Sequence, residues 1–200
     1  VCPMPALNSR QCIALLPVLG GAFAFQAPLS KLRMASPPPI SNAVVKSVEP
    51  SGFPFKTPDP FLFCAYHVDN YPAGDEHMQA PRRGNGADFD PRQSYRMYHG
   101  DRIPGFPQHP HRGFETITAT IEGLIDHCDS MGNCGRYGHG DSQWITAGRG
   151  IVHSEMFPLV RSDGPNRLRL LQIWLNLPAR AKLADPHFVM HWAEQIPAAA

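Results

Sequence analysis

"QHPHRGFETITATIEG", residues 108–123, sets two histidines either side of a proline and follows them with β-branched and small residues closed by a glycine. Alternate side chains of a strand point the same way, so His109 and His111 face one side together. The geometry returns about forty residues on, where "IVHSEM" (151–156) places His153 and Glu155 on one face. Two strands of one small β-domain, each offering two inward ligand-type side chains, can converge on a single point. Three neutral imidazoles and one carboxylate make a good site for a divalent transition metal. No cysteine belongs to the set, which disfavours iron–sulfur and structural zinc sites. Fe(II), Mn(II), Ni(II), Cu(II) and catalytic Zn(II) remain, and ligand type alone does not separate them. Glu115 is the rival carboxylate. If the first strand stays regular, residues 109, 111, 113 and 115 all face inward, and Glu115 is either a further ligand or a group that holds an imidazole. His67, His77, His99, His127, His139, His187 and His191 lack the paired arrangement and read as structural or surface residues.

Outward from this stretch the pattern is β throughout. "DPFLFCAYHV" (59–68) has strand composition after a proline, and residues 116–121 alternate β-branched and small side chains. "LIDHCD" (124–129), "SQWITAG" (142–148), "GIVHSEMF" (150–157) and "RLRLLQIWLNLP" (167–178) read as further strands, the last buried on both faces, and "SMGNCGRYGHGD" (130–141) as a turn cluster. Short strands with Gly-rich turns at close spacing predict an all-β barrel or sandwich. Pro 22 and Gly 17 in 200 residues argue in the same direction, against long helices. Residues 69–103 are rich in Gly, Pro, Asp and Arg and are too long for an ordinary connection, so they are expected to form a surface insertion. Residues 179–200 read as a linker.

A net charge of +1 gives no broad electrostatic footprint for nucleic acid, which argues against direct binding of DNA or RNA. The five cysteines are odd in number and form no CxxC pair, so a disulfide framework is not expected; Cys128 and Cys134 share one turn region and read as ordinary thiols that can pair under oxidation. Residues 11–24, "QCIALLPVLGGAFA", follow Arg10 and end in small residues before Phe25, the layout of a signal-peptide core. The run is too short and too broken by Gly and Pro for a membrane span. The basic, acid-free "LSKLRMASPPP" (29–39) completes a leader that resembles the two-part presequences of algal plastid proteins. Residues 1–40 are therefore expected to be a targeting presequence or disordered leader, with plastid localisation ahead of cytoplasm or nucleus, and no membrane partner.

"GFPQHPHRGFETIT", "GDSQWITAGRGIVHSEMFP" and "LLQIWLNLP" resemble the pirins, a family of the cupin superfamily. The likeness covers about residues 59–197 and is densest over 104–158. It implies a single cupin-type double-stranded β-helix, or jelly-roll barrel, over residues 41–178, equivalent to the N-terminal cupin domain of a pirin. Residues 179–200 then become the linker to a second cupin domain that the sequence lacks, so that the chain is a fragment. It implies His109, His111, His153 and Glu155 as metal ligands, Fe(II) first, with Mn, Ni, Cu or Zn as alternatives, and leaves Glu115 behind the ligands. Residues 69–103, just before the HPH strand, are placed to cover the pocket mouth. Some pirins resemble quercetinases. The implied activity is a quercetin 2,3-dioxygenase-type oxidoreductase acting on a flavonol-like aromatic molecule, with Glu155 as a ligand that swings away to act as catalytic base. Phe114, Trp144 and Met156 stand close enough in sequence to line its pocket, although core packing is the ordinary job for each. The alternative function is a redox-sensing, iron-dependent protein-interaction module of the transcriptional co-regulator kind, with a protein partner and no turnover.

Overall fold

The computed structural model describes residues 52–82, 90 and 92–197; the expected presequence lies outside them. Nine strands among the described residues carry the fold: β1 Phe61–Tyr71, β2 Gly105–His111, β3 Phe114–Glu122, β4 Leu124–Asp129, β5 Cys134–Gly138, β6 Ser142–Thr146, β7 Ile151–Met156, β8 Asn166–Asn176 and β9 His187–His191. All pair antiparallel, in one sheet ordered β1-β8-β3-β6-β9 and another ordered β2-β7-β4-β5. Helical pieces among the described residues are two three-residue 3-10 turns, Ala179–Ala181 and Ala193–Gln195. No helix among them is long and apolar enough to cross a membrane.

The two sheets close on a shared interior. Tyr71, Leu168 and Leu170 from the first meet Ile125 and Tyr137 from the second in one buried cluster, and Phe157 and Leu159 after β7 join it. This is the jelly-roll barrel expected. One strand inverts the usual pattern. Thr116, Thr118 and Thr120 of β3 are buried on one face, while on the other face Ile117 is buried and Ile121 is 45% exposed. Inward hydroxyls need partners, because an unpaired buried hydroxyl costs about 1–3 kcal/mol. They find them in Gln172 of β8, Asp141 and Glu155. The barrel therefore has a polar stripe inside it, and this stripe faces the strand that carries Glu155.

Three expectations change. The segment 69–103 is partly core: β1 runs on to Tyr71, and Tyr95, Met97 and Tyr98 are buried with it. Asp69 Oδ1 accepts the backbone N–H of both Arg96 and Met97, and the Tyr71 hydroxyl donates to Met97 O at 2.8 Å, so the returning chain is tied to β1. The turn cluster 130–141 contains β5, whose register sets Cys128 opposite Cys134; the two form a disulfide with a Cα–Cα distance of 4.2 Å instead of two separate thiols. Residues 179–200, expected as a linker, contain β9. That strand pairs with β6 and packs Phe188 against the buried Ile145, Ala147 and Ile151.

Gly105 shows why β2 begins where it does. Its φ is +131°, and a Cβ there would lie 2.4 Å from Glu155 O and 2.6 Å from Met156 Cα. Only glycine lets the HPH strand approach β7 this closely.

Candidate metal centre

β2 and β7 are hydrogen-bonded neighbours, and His109 and His153 are direct partners across them. Cross-strand partners in an antiparallel pair hold their Cβ atoms about 4.5–5.5 Å apart, near enough for two imidazoles to share one object. His111, two residues along β2, points to the same side. The three ring centroids lie 4.5, 4.8 and 4.9 Å apart, and one ligand nitrogen from each ring falls within 4.8 Å of the others. His109 Nε2 and His153 Nε2 are 3.1 Å apart. Two nitrogens bound to one ion at about 2.0–2.1 Å each would stand roughly 2.9–3.4 Å apart, depending on the coordination angle. The spacing fits a shared cation.

The protonation states fit as well. His109 Nδ1 lies 2.7 Å from Pro107 O, and a carbonyl can only accept, so Nδ1 carries the proton and Nε2 is left bare towards the cluster. Burial pushes His111 down to about 4, and the neighbouring His153 and His109 add to the effect. Burial likewise pushes His153 down to about 3, with His109 and His127 adding to it. Both are neutral at ordinary pH, as metal ligation requires. His67, buried elsewhere on β1, is lowered to about 4, by burial first and then by Arg96 and His99. Their contribution to stability is complete above pH 6.5 and is lost as pH falls through about 4 and about 3, since the unfolded chain takes up protons that these folded imidazoles refuse. Thermal unfolding of the chelator-treated protein should therefore show Tm falling by several degrees between pH 6.5 and pH 4. A flat profile across that window would contradict the neutral cluster.

Glu155 is buried on the same face of β7 as His153, but its carboxylate is not in the group of mutually close ligand atoms. Its Oε1 lies 3.1 Å from Thr118 Oγ1 and 3.5 Å from the Tyr137 hydroxyl. Burial, and then the Glu155 charge, raise Tyr137 well above the ordinary tyrosine range, so it stays a donor. Glu115 goes elsewhere. The chain leaves β2 at Arg112 and turns through Gly113, at φ +76°, into the other sheet. That break ends the i, i+2 alternation. Glu115 then accepts from Trp144 Nε1 at 2.6 Å and Thr146 Oγ1 at 3.0 Å, and it touches none of the imidazoles.

The aromatic wall also differs from expectation. Phe114 packs on His111 at 5.1 Å, as anticipated, but Trp144 is 38% exposed beside Glu115, and Met156 alternates to the other face of β7 from Glu155. Trp174 stands at 5.5 Å from His111, and Phe106 at 6.3 Å from His109. Trp174 comes from β8, far along the chain, and no spacing rule connects it to the HPH motif. A separate cavity of about 300 Å³ between Tyr71, Leu124, Phe157 and Leu168 contains none of the three histidines.

The fold and the cluster agree with what the molecule resembles. The Pirin family profile matches residues 55–175. The chain belongs to the pirin family. Pirins are cupins, and the jelly roll described above is the cupin type of barrel. The chain is 46% identical over 97 residues to a pirin-like protein of Caulobacter vibrioides, a match that covers 48% of this chain and 34% of that protein. It is 46% identical over 95 residues to a pirin-like protein of Solanum lycopersicum, covering 48% of this chain and 31% of the relative. Among solved structures, a quercetin 2,3-dioxygenase from Acinetobacter baumannii superposes with a TM-score of 0.51 at 30% identity, over 70% of this chain and 40% of that one. The chain thus spans well under half the length of these proteins.

Proposed function

We propose that this pirin barrel holds a divalent transition metal on His109, His111 and His153, and serves a quercetin 2,3-dioxygenase-type oxidation of a flavonol-like aromatic molecule. The observation that carries the reading is the convergence of three imidazoles, with two Nε2 atoms 3.1 Å apart, beside an aromatic wall. The likeness to the Acinetobacter enzyme supports it. Fe(II) is the first choice of ion, with Mn, Ni, Cu and Zn as alternatives for an imidazole-rich set. The ion's part is Lewis-acid chemistry at an aromatic hydroxyl, whose pKa it lowers.

The protein supplies the rest. His109 is oriented by Pro107 O, so its tautomer is fixed before any ion arrives. Phe114 and Trp174, 5.0 Å apart beside His111, offer faces for a planar ring. Trp174 Nε1 is buried with no partner among the described residues, which leaves one N–H to donate to a substrate oxygen. Glu155 is the proton acceptor. Thr118 and Tyr137 hold its carboxylate back from the imidazoles, and a rotation about its side chain carries Oε1 from these donors towards the substrate hydroxyl. In a separate position Glu155 would complete the ligand set as the fourth donor, and it swings away from there to act as base.

The test is to load the protein with Fe, Mn, Ni, Cu or Co, add quercetin in air, and follow flavonol absorbance together with O₂ uptake. The expected outcome is flavonol loss with matching O₂ consumption for at least one metal, abolished by chelator. Metal retention with no turnover for any of them would overturn the enzyme reading and leave the redox-dependent interaction module.

A further inference from the structure

The inner face of β4 adds two groups behind the three-histidine cluster. In register, Asp129 is the partner of His153, and His127 is the partner of Glu155. Both side chains are closed off from solvent, at 3% exposure for His127 and 0% for Asp129. His127 Nε2 lies 3.2 Å from Asp129 Oδ2. The Asp129 carboxylate also receives Met131 N at 2.8 Å, Asn133 N at 3.0 Å and Asn133 Nδ2. Burial pushes this acid up, but the bonds from Asn133, His127 and the backbone N–H groups outweigh it and hold the carboxyl below its usual range. An ionised carboxylate only accepts. His127 must therefore carry its proton on Nε2 when neutral, and its Nδ1 is a bare lone pair. That Nδ1 is buried with no partner among the described residues.

His153 has the complementary defect. Its Nε2 faces the cluster, 3.1 Å from His109 Nε2, and its Nδ1 is buried with no partner among the described residues. If Nε2 is to bind an ion, the proton of the neutral ring must sit on Nδ1, as a donor without an acceptor. The two rings are 5.5 Å apart between centroids. Terminal imidazole torsions are broad and soft, so the pairing asks only for an adjustment of these two rings that keeps both Nε2 contacts. Each orphaned atom is what the other lacks, and pairing them removes two buried unsatisfied groups at once.

We propose that Asp129, His127 and His153 form a carboxylate–imidazole–imidazole chain, in which Asp129 sets the tautomer of His127 and His127 Nδ1 accepts the Nδ1–H of His153. The chain keeps His153 Nε2 bare, aims it at the cluster and makes it a better electron donor. His127 and Asp129 are positioning residues, since they act through His153. The inference rests on the three histidines being a metal site.

The experiment uses the full chain labelled with ¹⁵N-histidine, with and without Zn(II), a diamagnetic probe, and reads each ring's tautomer from long-range ¹⁵N–¹H correlations. Zn(II) affinity is measured in parallel by competition with a chelator. The expected result is His127 protonated on Nε2, and His153 protonated on Nδ1 with a slowly exchanging proton and zinc on Nε2. His127→Phe leaves the Asp129 turn intact; it should make that proton exchange freely and weaken Zn(II) binding about tenfold to a hundredfold. Asp129→Asn should shift the His127 tautomer. Asn133→Ala, which loosens the same turn without touching the chain of rings, should leave the His153 tautomer as it was. Zinc on His153 Nδ1 in the unaltered protein overturns the proposal whether or not the variants fold. So does a folded His127→Phe with unchanged affinity and proton exchange, which would leave the metal site standing. Unaltered protein that takes up no zinc overturns both.

Discussion

Replacing His153 with alanine should strip the protein of its metal. The imidazole is 1% exposed and central to the cluster, 4.5 Å from the His109 ring and 4.9 Å from the His111 ring. Without it, the remaining imidazoles both come from one short strand, two residues apart, and the other wall of the site has no nitrogen to offer. Loss of a partner that merely orients a ligand typically weakens metal binding 10–100-fold, so loss of the ligand itself should exceed about a hundredfold. Elemental analysis after dialysis against a chelator is the check. The unaltered protein should keep close to one ion per chain and His153→Ala close to none. The fold should survive, because the removed ring leaves one buried unpartnered nitrogen fewer, and thermal unfolding of the metal-free variant will show this. A folded variant that still holds its ion would mean that the metal sits elsewhere.

The second large effect is on stability. Met97→Ala should cost about 2–5 kcal/mol, the usual range for truncating a buried methionine. Met97 is 1% exposed and packs with Tyr71, Tyr95, Tyr98 and Leu170, at a point where its carbonyl also receives the Tyr71 hydroxyl. Chemical denaturation should show the midpoint falling with little change in slope, and Tm should fall by about 5–15 °C. A loss below about 1 kcal/mol would mean that residues 92–103 are a loosely laid flap and not part of the core.

The grouping of the three histidines was legible because strand parity is a short-range rule. His109 with His111, and His153 with Glu155, each sit two residues apart, so each pair had to share a face once the strands formed. Register then made His109 and His153 partners. Glu115 was misplaced by the same rule, because parity holds only while a strand continues, and Gly113 ends this one. His127 and Asp129 were missed because a lone histidine carries no signal; only the β4–β7 register sets them beside the others. Strands β5 and β9 are five residues each, and one lies in a glycine-rich stretch and the other behind Pro186. Their pairing comes from neighbours distant in sequence and not from their own pattern. Tyr95, Met97 and Tyr98 follow neither strand nor helix period, yet tertiary bonds to Asp69 and Tyr71 bury them.

β9 has a practical side. It caps the rim of the larger sheet and occupies the free backbone edge of β6, from Ser142 to Thr146. A polypeptide cut after Pro178, where sequence reasoning alone would end the barrel, would leave that edge bare, with Ile145 and Ala147 no longer roofed by Phe188. Open strand edges beside uncovered apolar side chains recruit other chains. Such a shortened form would tend to self-associate and precipitate, which makes β9 a guard for solubility.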